Sequence, residues 1–425
     1  MPKRNDGGEW FEWHFGKPQG PLHVSKHYAA GESWAKRPAW WFELPVSDLD
    51  SGPTVHLLCE QPDEPGEFLA LLVPTEFLCR AKDRLHFRND VKRYSLYLSS
   101  ERGCFLTELR GHGRVEFLPF AMFPPRRELG RTGFVASRIG IGDLADRNVP
   151  LDECVATVRR AIDRRCNVID TAPAYENGYS EEIVGRAVKS CRDRMFVIDK
   201  IDHLDRSVRE QVEESLGRLA LDHVDLFAFH GVSKPADWTA LAAPGGGMEQ
   251  LGALVKEGKC RFRGISSHHP DVLREAIESG PCDVVLFAVG PFCDERYVSQ
   301  ILPLARQWAV GTVCFKTFGA GKLLGDTAGY GRPLEARPRG KLSSGGKAPG
   351  EPALTHLSVD ECVRYTLTCD PDVALLGLSF PNEQDAAWKA AATFKPMTPA
   401  EIADIRARAV EAMRDKGEAW WNPAL

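Results

Sequence analysis

Twelve cysteines stand among the 425 residues, yet no two form a C-x-x-C pair; they run Cys59, Cys79, Cys104, Cys154, Cys166, Cys191, Cys260, Cys282, Cys293, Cys314, Cys362 and Cys369. Zinc ribbons and iron–sulfur clusters draw their ligands from closely spaced cysteines, so the expectation is scattered buried thiols, with no metal and no cluster. Positive charge is not in surplus either: Lys and Arg total 54 against 59 for Asp and Glu, a net charge of -5. That leaves no global basic field to gather nucleic acid or anionic lipid. No apolar run approaches the roughly 18 residues of a membrane span. The opening MPKRNDGGEWFEWHFG also lacks the apolar core of a signal peptide, and a cytoplasmic protein is expected. No G-x-G-x-x-G sits at a strand-to-helix turn, which weakens a Rossmann reading.

What is present is the balance of a folding chain, 43% hydrophobic and 27% charged, at a length that suggests two domains or one barrel with a large addition. From Arg127 onward, short β-branched runs alternate with stretches of helical period, the pattern of repeated βα units. Candidate strands are Ser137–Ile141, Val168–Asp170, Phe196–Lys200, Val224–His230, Cys260–Ser266, Val284–Val289, Gly311–Phe315 and Val373–Gly377. Leu151–Arg165 and Ser180–Lys189 carry apolar stripes that can cover a sheet, and Ser180 reads as the N-cap of the second. Eight consecutive units at this length favour a closed (β/α)₈ TIM barrel, of about 250 residues in its usual form, over an open sheet.

The first 125 residues have another texture. Trp10, Trp13, Trp34, Trp40 and Trp41 crowd together, and apolar runs at Val55–Leu58, Phe68–Val73, Tyr94–Leu98 and Val115–Leu118 suggest a smaller α+β domain. Its boundary is expected at Pro124-Pro125, giving domains 1–125 and 126–425. Asp326–Pro352, rich in Gly and Pro, with Arg332, Arg337, Arg339, Lys341 and Lys347, reads as a long loop.

In such barrels the reacting groups sit at the C-terminal ends of strands. Asp170 ends the second strand, Tyr175 follows five residues later, Lys200 ends the third and His230 the fourth. Any one of these alone is more simply a structural residue; four on one rim point to tuned ionisable groups. A phenol with a pKa of about 10 is a weak acid near neutrality. A buried ammonium beside it favours the phenolate and lowers that value. Asp170 would keep Lys200 charged, Tyr175 would exchange a proton with a carbonyl oxygen as hydride reaches its carbon, and His230 would orient that oxygen.

These residues, with RELGRTGFVASRIGIG, DTAPAYENGYSEEIVGRAV, SLGRLALDHVDLFAFH and GKCRFRGISSHHP, resemble the aldo-keto reductases, over essentially all of Arg127–Arg414. The resemblance implies an NAD(P)(H)-dependent oxidoreductase acting on a small carbonyl or sugar substrate, with NADP(H) more expected than NAD(H). It further implies that Ser266 and Ser267 hold the nicotinamide carboxamide, that Phe315 stacks on the nicotinamide, and that Phe318, Gly319 and Gly321 form the turn near the pyrophosphate. Ser379 and Asn382 fall at the adenosine end. Two departures stand out: the sixth strand reads LFAVGPF where relatives carry Gln or a Tyr-Asn pair, and no Lys or Arg near the eighth strand stands ready for a 2′-phosphate. The loop 326–352 would either neutralise cofactor phosphates or serve as a solvated linker. His268 and His269 without a third ligand are weak evidence for metal, and surface or supporting roles are expected. Because the family includes channel-associated subunits, a second reading is a cofactor-sensing subunit whose N-terminal domain binds a protein partner. A third is that this domain helps select a bulky substrate through its aromatics, although aromatics in a small domain are more often its core.

Overall fold

The computed structural model describes the chain apart from residues 1–3, 33–34, 63, 102–103, 123–126, 144, 325–354, 378–380, 393, 415, 417 and 424–425. It divides into two compact units, Met1–Arg126 and Arg127–Leu425. In the second, eight parallel strands close on themselves in sequence order: β1 Ile139–Ile141, β2 Val168–Asp170, β3 Phe196–Ile201, β4 Val224–Phe229, β5 Cys260–Ser266, β6 Val284–Ala288, β7 Gly311–Phe315 and β8 Val373–Leu376. β8 pairs back onto β1 through Leu376 and Ile141, which completes the (β/α)₈ barrel. Runs such as VVLFA and VDLFAF are apolar at nearly every position because helices cover one face of the parallel sheet and the barrel core fills the other.

The interior follows from strand alternation. Val168, Phe196, Ile198, Leu226, Ala228, Val284, Leu286, Val313, Val373 and Leu375 form one core, drawn from six of the eight strands, with residues from the same strand two apart. Leu129 and Ala136 join that core from the opening hairpin, in which Arg127–Glu128 pairs antiparallel with Val135–Ala136. The hairpin therefore plugs the end of the barrel at which the strands begin.

Element ends differ from the sequence expectation for local reasons. β1 starts at Ile139 and not Ser137, because the Ser137 N–H donates to the Asn167 side chain (2.7 Å) and its hydroxyl to the Ile139 carbonyl. The first barrel helix, Leu151–Asp163, stops short of Arg165, whose φ of 68° is left-handed. Ser180 is not an N-cap. The helix Tyr179–Val188 is entered through left-handed Gly178, and the Ser180 hydroxyl instead accepts from Thr171 Oγ1 at 2.8 Å.

Among its described residues, the unit Met1–Arg126 holds two sheets. One orders Leu22–Ser25, Thr54–Gln61 and Glu64–Pro74; the other orders His27–Tyr28, Ala39–Pro45, Arg93–Ser99 and His86–Arg88. The helix Arg4–Phe15 brings Phe11 onto Leu58, Phe68, Ala70 and Met122. Trp40 is buried, donating to the Glu60 carbonyl at 2.8 Å, so this ring is core. Val115–Leu118 forms no strand. Glu116 makes a single bridge to Thr107, and the 3₁₀ turn Leu118–Phe120 with Pro119 ends the run. Among the described residues no helix is long and apolar enough to cross a membrane.

One contact holds the second barrel helix in place. A Cβ on Gly185 would lie 1.9 Å from the Leu219 carbonyl oxygen of the next helix, Val208–Leu219. Gly185→Ala must push these helices apart, and overpacking of this kind costs about 1–3 kcal/mol. Urea denaturation of the variant is expected to show a lower midpoint; an unchanged midpoint would mean that the helices are not in such close contact.

Candidate active site

The alternation that builds the core also builds the site. Going up each strand along its inward face, Val168 is followed by Asp170, and Phe196 and Ile198 by Lys200. Leu226 and Ala228 lead to His230, Phe262 and Gly264 to Ser266, and Val313 to Phe315. The inner face is apolar through the barrel and turns polar at the C-terminal mouth. The neighbouring register, with Asp170 opposite Ile198 and Lys200 opposite Ala228, places these polar ends side by side.

Lys200 Nζ donates to Asp170 Oδ1 at 2.5 Å and to the Thr171 carbonyl at 2.8 Å. Both ion-pair residues are nearly excluded from solvent, at 2% and 3% exposure. Burial alone would drive the proton off Lys200, but the Asp170 carboxylate, together with Tyr175 and Asp199, more than offsets this and holds the ammonium above its ordinary pKa. Burial likewise raises Asp170, with Lys200 pulling it down. At the contact distance observed, the pair is best described as ammonium and carboxylate. The Lys200 ammonium lies 4.8 Å from the Tyr175 ring centroid, and that ring meets His230 edge-on at 5.6 Å. All four expected residues thus converge.

One expectation is reversed in sum. Burial pushes the Tyr175 phenol above its ordinary value of 10, and Lys200 works against this without overcoming it. Asp170 and Asp143, which follows β1, add negative potential that also favours the protonated phenol.

Tyr175 lies on a loop whose shape is held from several directions. Glu176, Asn177 and Gly178 are all left-handed. Arg147 donates to the Glu176 carbonyl (2.6 Å) and the Asn177 carbonyl (3.2 Å), tying down this unusual turn. Asp202, not anticipated from the sequence, joins two parts of the site. One oxygen contacts His230 Nδ1 at 2.5 Å and the other accepts the Ala174 N–H at 2.7 Å. Although burial opposes it, hydrogen bonding to His230 lowers the Asp202 pKa and keeps the carboxylate charged. The available signal was its position two residues beyond Lys200, on the inward phase of β3.

The residues expected to hold cofactor are also at the mouth. Ser266 is buried and its hydroxyl accepts the Gly231 N–H at 2.8 Å; an oxygen so engaged still has its own proton to donate. Ser267 is buried, and its hydroxyl accepts the His269 N–H at 3.0 Å. Phe315 is half-buried at the end of β7, and Phe318 is buried in the turn beyond, where Gly319 and Gly321 have φ of 54° and 83°. Thr317, in the same turn, has a buried hydroxyl with no hydrogen-bond partner among the described residues. An orphan donor, two serine hydroxyls, an aromatic face and a glycine turn fit a polar, phosphate-bearing ring cofactor. At the end of the altered sixth-strand run, a Cβ on Gly290 would lie 2.5 Å from the Lys316 carbonyl oxygen, so a side chain there would require that backbone to shift. Ser379, the loop 326–352 and the Pro124-Pro125 boundary lie outside the described residues, as does the side chain of Asn382.

Of the surface or supporting roles expected for His268, its half-buried ring takes the second. Its ring sits 5.5 Å from that of Phe315 and 4.9 Å from that of Trp420. Burial, together with the charges of Lys316 and His230, lowers its pKa to about 4. Among the described residues no His, Cys, Asp or Glu cluster suits a metal ion. Histidine-ring NMR should therefore find His268 neutral down to about pH 4, and Lys316→Met should move that titration upward by removing a repelling charge. Titration near the ordinary 6.5 would contradict this packing.

With the geometry in place, kinship can be weighed. The family model for the aldo/keto reductase family matches residues 138–403. The chain is 32% identical over 228 residues to the NADH-specific methylglyoxal reductase of Escherichia coli (strain K12), covering 46% of this chain and 68% of that protein. It is 29% identical over 214 residues to L-galactose dehydrogenase of Arabidopsis thaliana, covering 46% and 66%. An aldo-keto reductase of Bacillus subtilis (strain 168) is 31% identical over 216 residues, covering 46% and 62%. The chain thus spans 62 to 68% of the length of these three relatives. In structure, an aldo-keto reductase from Klebsiella pneumoniae in complex with NADPH aligns with TM-score 0.51 at 21% identity, over 67% of this chain and 95% of that one. A barrel closed in sequence order, a converging Asp, Tyr, Lys and His, and a family match over more than half of the chain agree: this chain belongs to the aldo/keto reductase family of oxidoreductases.

Proposed function

We propose that this chain interconverts a small carbonyl compound and its alcohol with NAD(P)(H), with Tyr175 as the proton donor in reduction. The observation that carries the reading is the buried Lys200–Asp170 pair, whose ammonium lies 4.8 Å from the centroid of the Tyr175 ring. A nicotinamide cofactor supplies the hydride. Ser266 and Ser267 would bind its carboxamide and Phe315 its ring face, with Phe318, Gly319, Gly321 and Thr317 toward the pyrophosphate and Ser379 and Asn382 toward the adenosine. NADP(H) is the coenzyme we favour from the resemblance. One relative is named as NADH-specific, so a direct comparison of the two coenzymes belongs with any activity assay.

The chain's own residues account for the proton. Tyr175 is protonated at neutral pH, the form an acid requires, and burial holds its proton more tightly still. A phenol held this tightly gives up its proton only if the phenolate is stabilised as it forms, and the Lys200 ammonium provides that field. Asp170 preserves the ammonium. His230 gives its Nδ1–H to the Asp202 carboxylate, and with a second proton on Nε2 it would donate to the carbonyl oxygen and align it with the phenol. Reduction then places hydride on carbon and the Tyr175 proton on oxygen; oxidation runs the same path backward.

Tyr175→Phe is expected to bind NADPH nearly as the parent does while losing about 100-fold or more in kcat, read as loss of reduced-nicotinamide absorbance with methylglyoxal. Retained turnover would remove Tyr175 from the mechanism. In Asp170→Asn, burial is opposed less and the Lys200 ammonium loses its proton at lower pH. The alkaline limb of kcat should move to lower pH, and a limb that stays in place or moves upward would show that Asp170 does not set the charge of Lys200.

A further inference from the structure

Lys316 follows directly on Phe315, and nothing in the chemistry above uses its ammonium. Its backbone is left-handed, with φ of 71°, a conformation that residues with a Cβ adopt rarely and that recurs where side-chain direction matters. That backbone is held by the Gly319 N–H donating to the Lys316 carbonyl at 2.9 Å. The ammonium lies 4.3 Å from the Trp420 ring centroid and 5.6 Å from that of Phe315. Among the described residues no carboxylate stands within ion-pair distance of it. Burial, with a smaller contribution from Lys200, lowers its pKa to about 8, so it remains charged at neutral pH; its place at the end of β7, directly after Phe315, sets it at the C-terminal side of the barrel.

The Trp420 wall is a built feature. The next residue, Trp421, is fully buried. Its indole donates to the Phe292 carbonyl at 3.0 Å and its own carbonyl accepts from Tyr297 at 3.2 Å. Asn422 adds bonds to Asp294 and Phe292. With its neighbour anchored, Trp420 stands 57% exposed, one edge on His268 and its ring facing Lys316. The result is a partly exposed cluster of a cation with no ion-pair partner among the described residues, a neutral imidazole and an indole. Its charge is unbalanced, because Asp170 is committed to Lys200 and Asp202 to His230.

We propose that Lys316, beneath Trp420 and beside His268, recognises a carboxylate on the substrate, so that the enzyme prefers aldehydes or ketones carrying an acid group over neutral ones. This rests on the carbonyl-reducing reading above and deepens it by naming the substrate class. A partly desolvated ammonium gains most from an anion that reaches it without crossing water, and the indole supplies a flat apolar wall for the carbon skeleton between the carbonyl and the acid.

The test compares para-carboxybenzaldehyde with benzaldehyde under saturating NADPH, for the parent protein, Lys316→Met and Trp420→Ala. The parent is expected to favour the acid, and Lys316→Met to reduce the ratio of the two kcat/KM values about 10- to 100-fold, the loss of one charge-assisted contact. Trp420→Ala should weaken both substrates through KM. A second readout does not need turnover: tryptophan fluorescence titrated with benzoate and with benzamide, with and without NADP. Benzoate should bind more tightly than benzamide to the parent, and to the same extent as benzamide in Lys316→Met. A parent that reduces neither aldehyde yet binds benzoate through Lys316 would overturn the proposed activity and leave the anion site standing. Turnover without charge preference, or a Lys316→Met protein whose defect is weaker NADPH binding with an unaltered substrate ratio, would overturn the anion site and leave the activity standing.

Discussion

A single buried ion pair sets the terms for this barrel mouth. Taking an ammonium out of water costs several kcal/mol even after relaxation, and Lys200 is all but inaccessible. It keeps its charge because Asp170 and the Thr171 carbonyl both meet it at hydrogen-bond distance. If either strand slipped by one residue, the inward phase would be lost and a lone charge would face the core. The register between β2 and β3 is therefore fixed both by apolar packing below and by this pair above. The Tyr175 ring rests on the ammonium, and His230 rests on the Tyr175 ring, so the remainder of the site takes its position from the pair.

Strands alone do not position a loop residue, and Tyr175 is on a loop. Three successive left-handed residues follow it, a shape that would relax if unsupported. Support comes from Arg147 on the Glu176 and Asn177 carbonyls, and from Asp202 on the Ala174 N–H. Arg218 also packs there: it pairs with buried Glu181, and its side chain would collide with any Cβ at Gly178. Because Asp202 also holds His230, the acid loop and the orienting imidazole share one carboxylate, and a shift of either is felt by the other.

The parts that could be read from sequence were those governed by periodicity. Short β-branched runs alternating with stretches of helical period marked the eight strands, and the rule that reacting groups sit at strand ends picked out Asp170, Lys200 and His230; β2, β5 and β7 were bounded as observed. Residues whose placement depends on non-local backbone were not legible. Ser180 looks like a cap until Thr171 is seen across from it. Gly290 looks like a lost contact until the Lys316 carbonyl is found against it. Trp420 and Lys316 lie about a hundred residues apart in the chain, and no local pattern could bring them together. The phenol shows a different limit. The sign of the Lys200 effect on Tyr175 followed from chemistry, but the larger effect of burial required the packed surroundings.

The central claim is that the Lys200 ammonium stabilises the Tyr175 phenolate within a site whose burial favours the phenol. The most direct measurement is the ionisation of Tyr175, followed by NMR of protein labelled at the tyrosine ring carbon that bears the oxygen, in the parent and in Lys200→Met. The account predicts that the parent phenol stays protonated beyond its ordinary value of about 10, and that loss of the ammonium moves its ionisation to still higher pH. A phenol that ionises at the same pH in both proteins, or earlier without the lysine, would contradict it.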